Sequence, residues 1–332
     1  MSTPSVAPGT PASRALRHVT SLATGGPLRG GLRVTLNFHP DRLTSGGVPL
    51  LRQLGRDGVY VSQFVSGTSN GGLTAWPGGD RWRWESRMFG RAYDGAGAGE
   101  RPVYGALDDL RGPGGGAPRF GSSFLRLRDG ALRRATFCYP DSADEPELFG
   151  VAERCDLVGR CRTGGRDVLD AYVEAHVHGP VSLERDVEVL VLDSAYRGTG
   201  VEEDASRLPC PVDWHPGFRL PVEVLDDKGE FRGERIVRLA REVAGPGGVL
   251  DPRIIGDAVR AGRHDPQDLK KVWHCLARFG APAVQGDTTV PGDITVPGET
   301  AVAPAPAPAP EPAPAPRPQP APAPTPAPQP SR

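Results

Sequence analysis

Between Leu32 and Phe38 the chain reads Leu-Arg-Val-Thr-Leu-Asn-Phe, apolar and polar positions alternating as on a strand with one buried face. Similar short runs predict strands at Val59–Val65, Pro102–Leu107, Ser123–Leu127, Ala135–Tyr139, Tyr172–His178 and Val187–Leu192. Helical spacing predicts a first helix near Ala12–Ala23, a brief one over Leu50–Leu54, and a longer one over Asp80–Tyr93 with Trp84, Met88 and Ala92 on one stripe. Two more helices, Asp251–Ala261 and Pro266–Phe279, close the pattern. Strands dominate the middle and helices the flanks, an order that predicts an α+β fold, not a doubly wound sheet.

The pattern stops near Pro282, and composition explains why. Thr-Val-Pro-Gly-Asp and Thr-Val-Pro-Gly-Glu stand as a near-repeat between Thr288 and Glu299, and alternating Ala-Pro follows to Ser331. Proline lacks an N–H donor and fixes φ, so this stretch is expected to be extended, without a core. The expected organisation is a flexible N-terminus (1–11), one globular α+β domain (12–280, with a helical subregion at 251–280) and a disordered Pro/Ala-rich tail (281–332) serving as a spacer or weak docking segment. A net charge of −1 gives no basic field for nucleic acid. No apolar run reaches the ~20 residues of a membrane helix, and a signal peptide is missing, so a cytoplasmic protein is expected. Five scattered cysteines are expected to be reduced, buried thiols.

Four segments concentrate residues that can do chemistry. Asn37 to Arg42 ends the first strand with His39 and Asp41, side chains that serve either a site or a turn. Ser62 to Gly72 sets small hydroxyls (Ser66, Thr68, Ser69) and Asn70 among glycines; it is neither a Walker loop nor GxGxxG, but its amides can surround a phosphate or carboxamide. Tyr104 offers an aromatic face, or simple core packing, and Arg119 a partner for phosphate. In Tyr172-Val-Glu-Ala-His-Val-His178, alternation turns Val173, Ala175 and Val177 to a core and Glu174, His176 and His178 to the opposite face. A carboxylate and two imidazoles on one strand face are the strongest functional signal in the chain.

The blocks FHPDR, SGTSNGGLTAWPGGDRWRWE, RPVYGALDD, PRFGSSFL, YVEAHVHGPVSL and WHPGFR resemble an uncharacterised family of bacterial proteins common in actinobacteria, over about Ala12 to Phe279. More remotely, the order of elements is similar to the ADP-ribosyltransferase fold, a strand-rich split sheet with flanking helices. That resemblance implies an enzyme that consumes NAD as a substrate, with no tightly bound cofactor, and transfers ADP-ribose to a protein or small-molecule acceptor or to water. It implies Glu174 as the catalytic carboxylate, His39 (or Arg33 or Arg42) at the ribose, Ser66–Ser69 or Tyr104 at the nicotinamide, Asn70 among the residues that bind NAD, and Arg119 at a phosphate. The residue two before Glu174 is Tyr172, so the Glu or Gln of arginine-modifying enzymes is missing. Two alternatives stand beside this reading. One is a zinc hydrolase using His176 and His178 with His39 or His215 as a third ligand. The other is a non-enzymatic binding module.

Overall fold

A computed structural model describes residues 6–67 and 74–282. They fall in the first of the chain's two units, Met1–Gly286. Thr68 and Ser69, expected at the nicotinamide, Asn70, expected to bind NAD, and the Pro/Ala-rich segment lie outside the described residues.

The strands are β1 (Arg33–Phe38), β2 (Val59–Tyr60), β3 (Val103–Asp108), β4 (Ser123–Leu127), β5 (Ala135–Tyr139), β6 (Leu148–Val151), β7 (Glu174–Val177), β8 (Val181–Ser182), β9 (Val187–Asp193), β10 (Val212–His215), β11 (Leu220–Pro221) and β12 (Val249–Leu250). The helices are α1 (Pro11–Leu22), α2 (Leu50–Asp57), α3 (Gln63–Ser66), α4 (Asp80–Met88), α5 (Leu157–Thr163), α6 (Leu183–Asp186), α7 (Gly200–Ala205), α8 (Gly229–Arg232), α9 (Glu234–Val243), α10 (Pro252–Ala261) and α11 (Pro266–Phe279). Eight strands form one mixed sheet in the order β10-β9-β4-β1-β3-β7-β5-β6. β9 and β10 run parallel and the other neighbours antiparallel. The fold is α+β, as the order of elements predicts. Among the described residues, no helix is long and apolar enough to cross a membrane.

Alternation gives the sheet two unlike faces. Val34, Leu36 and Phe38, Leu125 and Leu127, Phe137, Ala175 and Val177 turn to one side and join Leu51 and Leu54 of α2 in the largest core. Burial of this kind contributes roughly 1.5–3 kcal/mol per large side chain. The other face carries Thr35, Asn37, Tyr104, Thr136, Cys138, Glu174 and His176, and two covers bury it. Over β5, α1 packs with Met88, Phe89 and Tyr93 around Cys138. Over β1 lies the loop 112–121. Asn37 Nδ2 donates to Gly114 O (2.7 Å) and the Gly116 amide donates to Thr35 Oγ1 (2.8 Å). α11 rests on that loop through Trp273 Nε1, which donates to Pro118 O at 3.1 Å.

Two expectations fail locally. Val59–Val65 is a strand only to Tyr60, where β2 pairs with β8. Ser62 then starts the single turn α3, which ends at Gly67 (φ 62°), so the apolar alternation there straddles a break. The helix at Asp80 stops at Met88, not Tyr93, because Gly90 (φ 56°) and Arg91 (φ 63°) turn left-handed. A Cβ at Gly90 would also meet the His18 ring at 2.7 Å, so only glycine lets α1 approach.

Candidate functional site

The centre of the polar face is a hydrogen-bonded series of side chains. His176 Nε2 lies 2.8 Å from Glu174 Oε1, and its Nδ1 lies 3.2 Å from Thr136 Oγ1. The same hydroxyl is 3.0 Å from His178 Nε2, and His178 Nδ1 is 2.7 Å from the Tyr93 hydroxyl. One assignment of hydrogens satisfies every member: Tyr93 O–H donates to His178, His178 Nε2–H to Thr136, Thr136 O–H to His176, and His176 Nε2–H to Glu174. Tyr93 suits the donor end, since burial raises its pKa and keeps the phenol protonated. The acceptor end is Glu174. Burial pushes its carboxyl up, but the His176 bond, the Arg81 charge and the Ser142 amide outweigh that and hold it below the usual range. The 6 % exposed Glu174 is therefore an ionised carboxylate of fixed orientation.

A second network stands beside it on α4, where burial at i, i+4, i+7 falls on Arg81, Glu85 and Met88. Glu85 Oε2 accepts from Arg101 Nη1 at 2.5 Å, and its Oε1 accepts from the Tyr104 hydroxyl at 3.2 Å. Burial raises the Glu85 pKa to about 7 against the pull of Arg101. Tyr104 is opposite His176 in the β3–β7 register, and the Arg81 guanidinium lies 4.2 Å above its ring. Arg81, Tyr104 and Glu174 then enclose a cavity of about 60 Å³ with Asn37, Gln63 and Phe120. A single water needs about 10–15 Å³, so this space has room for a few waters, and it takes part of a dinucleotide rather than the whole.

Of the residues expected from sequence, Glu174 and Tyr104 line this cavity. Ser66 ends α3, whose first residue, Gln63, lines it too. The others lie elsewhere. His39 is buried beyond β1 with its ring edge-on to Trp273 at 4.7 Å, and burial holds its pKa well down. β1 instead presents Asn37 to the cavity, since Asn37 lies within the strand and His39 just past its end. Arg42 is half-buried near Asp41, which pairs with Arg260 at 3.0 Å. Arg119 is bound to Asp170 at 2.5 Å. His215 on β10 donates from Nε2 to Ser122 O (2.7 Å) and accepts from the Gly217 amide at Nδ1 (3.1 Å). It is not brought to His176 and His178.

The set with ligand spacing is instead Cys138, Glu174 and His176, whose donor atoms lie within 4.8 Å of one another. It does not make a thiolate relay. Cys138 Sγ is 4.0 Å from the same Nε2 that bonds Glu174, and burial with the Glu174 charge raises the thiol well above its ordinary pKa. Reading the sequence missed Arg81, Glu85 and Phe120. The signal was present for the first two, a charged pair four apart on the inner stripe of a helix.

Fold and site thus define a class: a mixed α+β protein with a buried, preorganised acid–imidazole site on one face of its sheet. The chain belongs to the family described as proteins of unknown function, DUF3626, which it matches over residues 33–161 and 156–279. The match runs from β1 to the end of α11 and spans the residues around the cavity. No curated protein matches the chain.

Proposed function

We propose that the chain is an NAD-consuming enzyme of the ADP-ribosyltransferase type, with Glu174 as its catalytic carboxylate. One observation carries the reading: an ionised glutamate, aimed by His176, faces a cavity walled by Tyr104 and Phe120. Breaking the nicotinamide–ribose bond sends its electron pair out with neutral nicotinamide and leaves positive charge at the sugar, as glycoside cleavage does. A fixed carboxylate, withdrawn from water, stabilises that charge. The acceptor's hydroxyl or amine, or water, then bonds to the sugar carbon and gives up its proton to the Glu174 carboxylate or to water. The aromatic walls suit a planar carboxamide ring, and the amides of Asn37 and Gln63 stand beside them. The strand order supports the reading as well, because Thr35, Ala106 and Glu174 form one row across β1, β3 and β7. With the small cavity taking one part of NAD, the rest of the dinucleotide extends beyond it.

The test is nicotinamide release from NAD by the full chain. Glu174→Gln keeps size and a hydrogen bond but removes the charge, so turnover should fall roughly 10²-fold or more with NAD binding largely kept. Full turnover in that variant refutes the assignment. A metal reading is favoured by the Cys138, Glu174 and His176 set, a donor combination zinc accepts. Against it, Thr136 occupies the His176 Nδ1 and Glu174 the Nε2. Stoichiometric zinc in the purified protein, lost in His176→Ala, would decide for the metal.

A further inference from the structure

We infer that Arg81 is the receptor for an anionic oxygen of the ligand, a phosphate in the first instance, inside the cavity. Arg81 is 8 % exposed and lines the cavity. Its Nε and Nη1 are shut off from solvent with no hydrogen-bond partner. Buried donors in folded proteins are almost always matched, and a guanidinium cannot discharge itself by losing its proton. The faces of the ion are already occupied, by the Tyr104 ring at 4.2 Å and the Trp84 ring at 5.3 Å. Its edges are what remain, and in-plane oxygens are what a guanidinium edge selects.

The nearest carboxylates do not meet this need. Glu85 is spent on Arg101 and Tyr104, and Glu174, although the Arg81 charge acts on it, bonds His176 and the Ser142 amide through Oε1 and makes no ion pair with Arg81. Arg119, Arg134 and Arg232 also leave an Nε unmet, but each is ion-paired, to Asp170, Asp186 and Asp170. Arg81 is in no ion pair among the described residues. With Glu174 on the same cavity, the site presents a fixed cation and a fixed anion. Its complement is a ligand carrying an oxyanion a few atoms from a positive centre. The inference rests on the NAD reading for its ligand, and there the nicotinamide mononucleotide half has both: phosphate for Arg81, nicotinamide-ribose cation for Glu174.

The experiment measures binding of nicotinamide mononucleotide and nicotinamide riboside to the full chain by tryptophan fluorescence. Melting curves with inorganic phosphate and with succinate accompany it. The mononucleotide should bind the wild type about 10- to 100-fold more tightly than the riboside, the range for charge-assisted hydrogen bonds. Arg81→Met should remove that preference, while Arg81→Lys, which keeps the charge, should keep part of it. Equal binding of the two compounds by the wild type overturns the inference whatever the variants do, and leaves the NAD reading standing. If neither binds but phosphate raises the melting temperature of the wild type and not of Arg81→Met, the NAD reading falls and the Arg81 site stands. Succinate acting in place of phosphate assigns a carboxylate as the oxyanion. No response to any of the four probes overturns both.

Discussion

Glu85 gives the site a measurable signature in folding. Its carboxyl has an ordinary pKa of 4.5, and burial raises it in the fold to about 7. The folded state therefore holds a proton that the unfolded chain has released. That stabilisation is fully present below 4.5 and is lost as pH rises through about 7. At about 1.4 kcal/mol per pH unit, the span between the two values corresponds to about 3 kcal/mol. Glu85→Gln keeps an acceptor for Arg101 and a partner for Tyr104 but cannot titrate. Relative to wild type, the variant should gain about 3 kcal/mol between pH 4.5 and pH 7.5.

Urea unfolding at several pH values, followed by far-ultraviolet circular dichroism, measures this directly. Comparing the two proteins matters, because burial also raises Asp193 to about 6 and raises Asp41, and those contributions cancel in the difference. Parallel stability curves, within about 0.5 kcal/mol at every pH, would mean that Glu85 is ionised throughout. The Arg101 pair would then outweigh burial, and the reasoning would be refuted.

Arg101→Met removes the charge that opposes burial at Glu85, so the loss of stability should grow as pH rises through about 7, where the carboxyl would have to ionise unpaired, and adding Glu85→Gln should abolish that pH dependence in chemical denaturation. Thr136→Val leaves His176 Nδ1 and His178 Nε2 without a partner while the bonds to Glu174 and Tyr93 remain; a loss of about 1–3 kcal/mol is expected, with nicotinamide release falling alongside. Removing everything after Pro282 should leave the melting temperature unchanged, since the removed sequence has no apolar periodicity with which to bury area.

How much of this was legible depended on where the period of the sequence matched the period of the structure. β4, β5 and α11 fall on their predicted residues, because clean alternation or helical spacing runs between clear breakers. The two faces of β7 were also legible, because strand geometry leaves Glu174 and His176 no choice of side once Ala175 and Val177 enter the core. β6 and α9 were not read. β6 is four residues at the sheet edge, too short to show a period, and α9 carries its buried Ile236, Val237 and Ala240 among five charged residues. The site was half legible. His39 and Arg119 have the right chemistry for NAD, but the edge contact with Trp273 and the pair with Asp170 are long-range facts that no local pattern encodes.

The misreading of α4 carries the more general lesson. Trp84, Met88 and Ala92 make a plausible apolar stripe, yet the most buried positions of the helix are Arg81, Glu85 and Met88, with Trp84 only partly covered. Leucines at 81 and 85 would satisfy helix propensity and burial at once. The chain instead places two ions where it must find partners for them, and sequences break local rules in this way chiefly at functional sites. A buried pair elsewhere shows the contrast. Arg134 binds Asp186 at 2.9 Å and donates to His178 O at 2.9 Å, joining the residue after β7 to the last residue of α6. That pair has a structural reason, since it fixes a chain reversal. Arg81 fixes no such reversal: it stacks on Tyr104, two of its buried nitrogens have no hydrogen-bond partner, and it lines the cavity with Glu174. A buried ion whose stacking and field leave two of its nitrogens unmatched is a local rule break of the kind that the proposed ligand would satisfy.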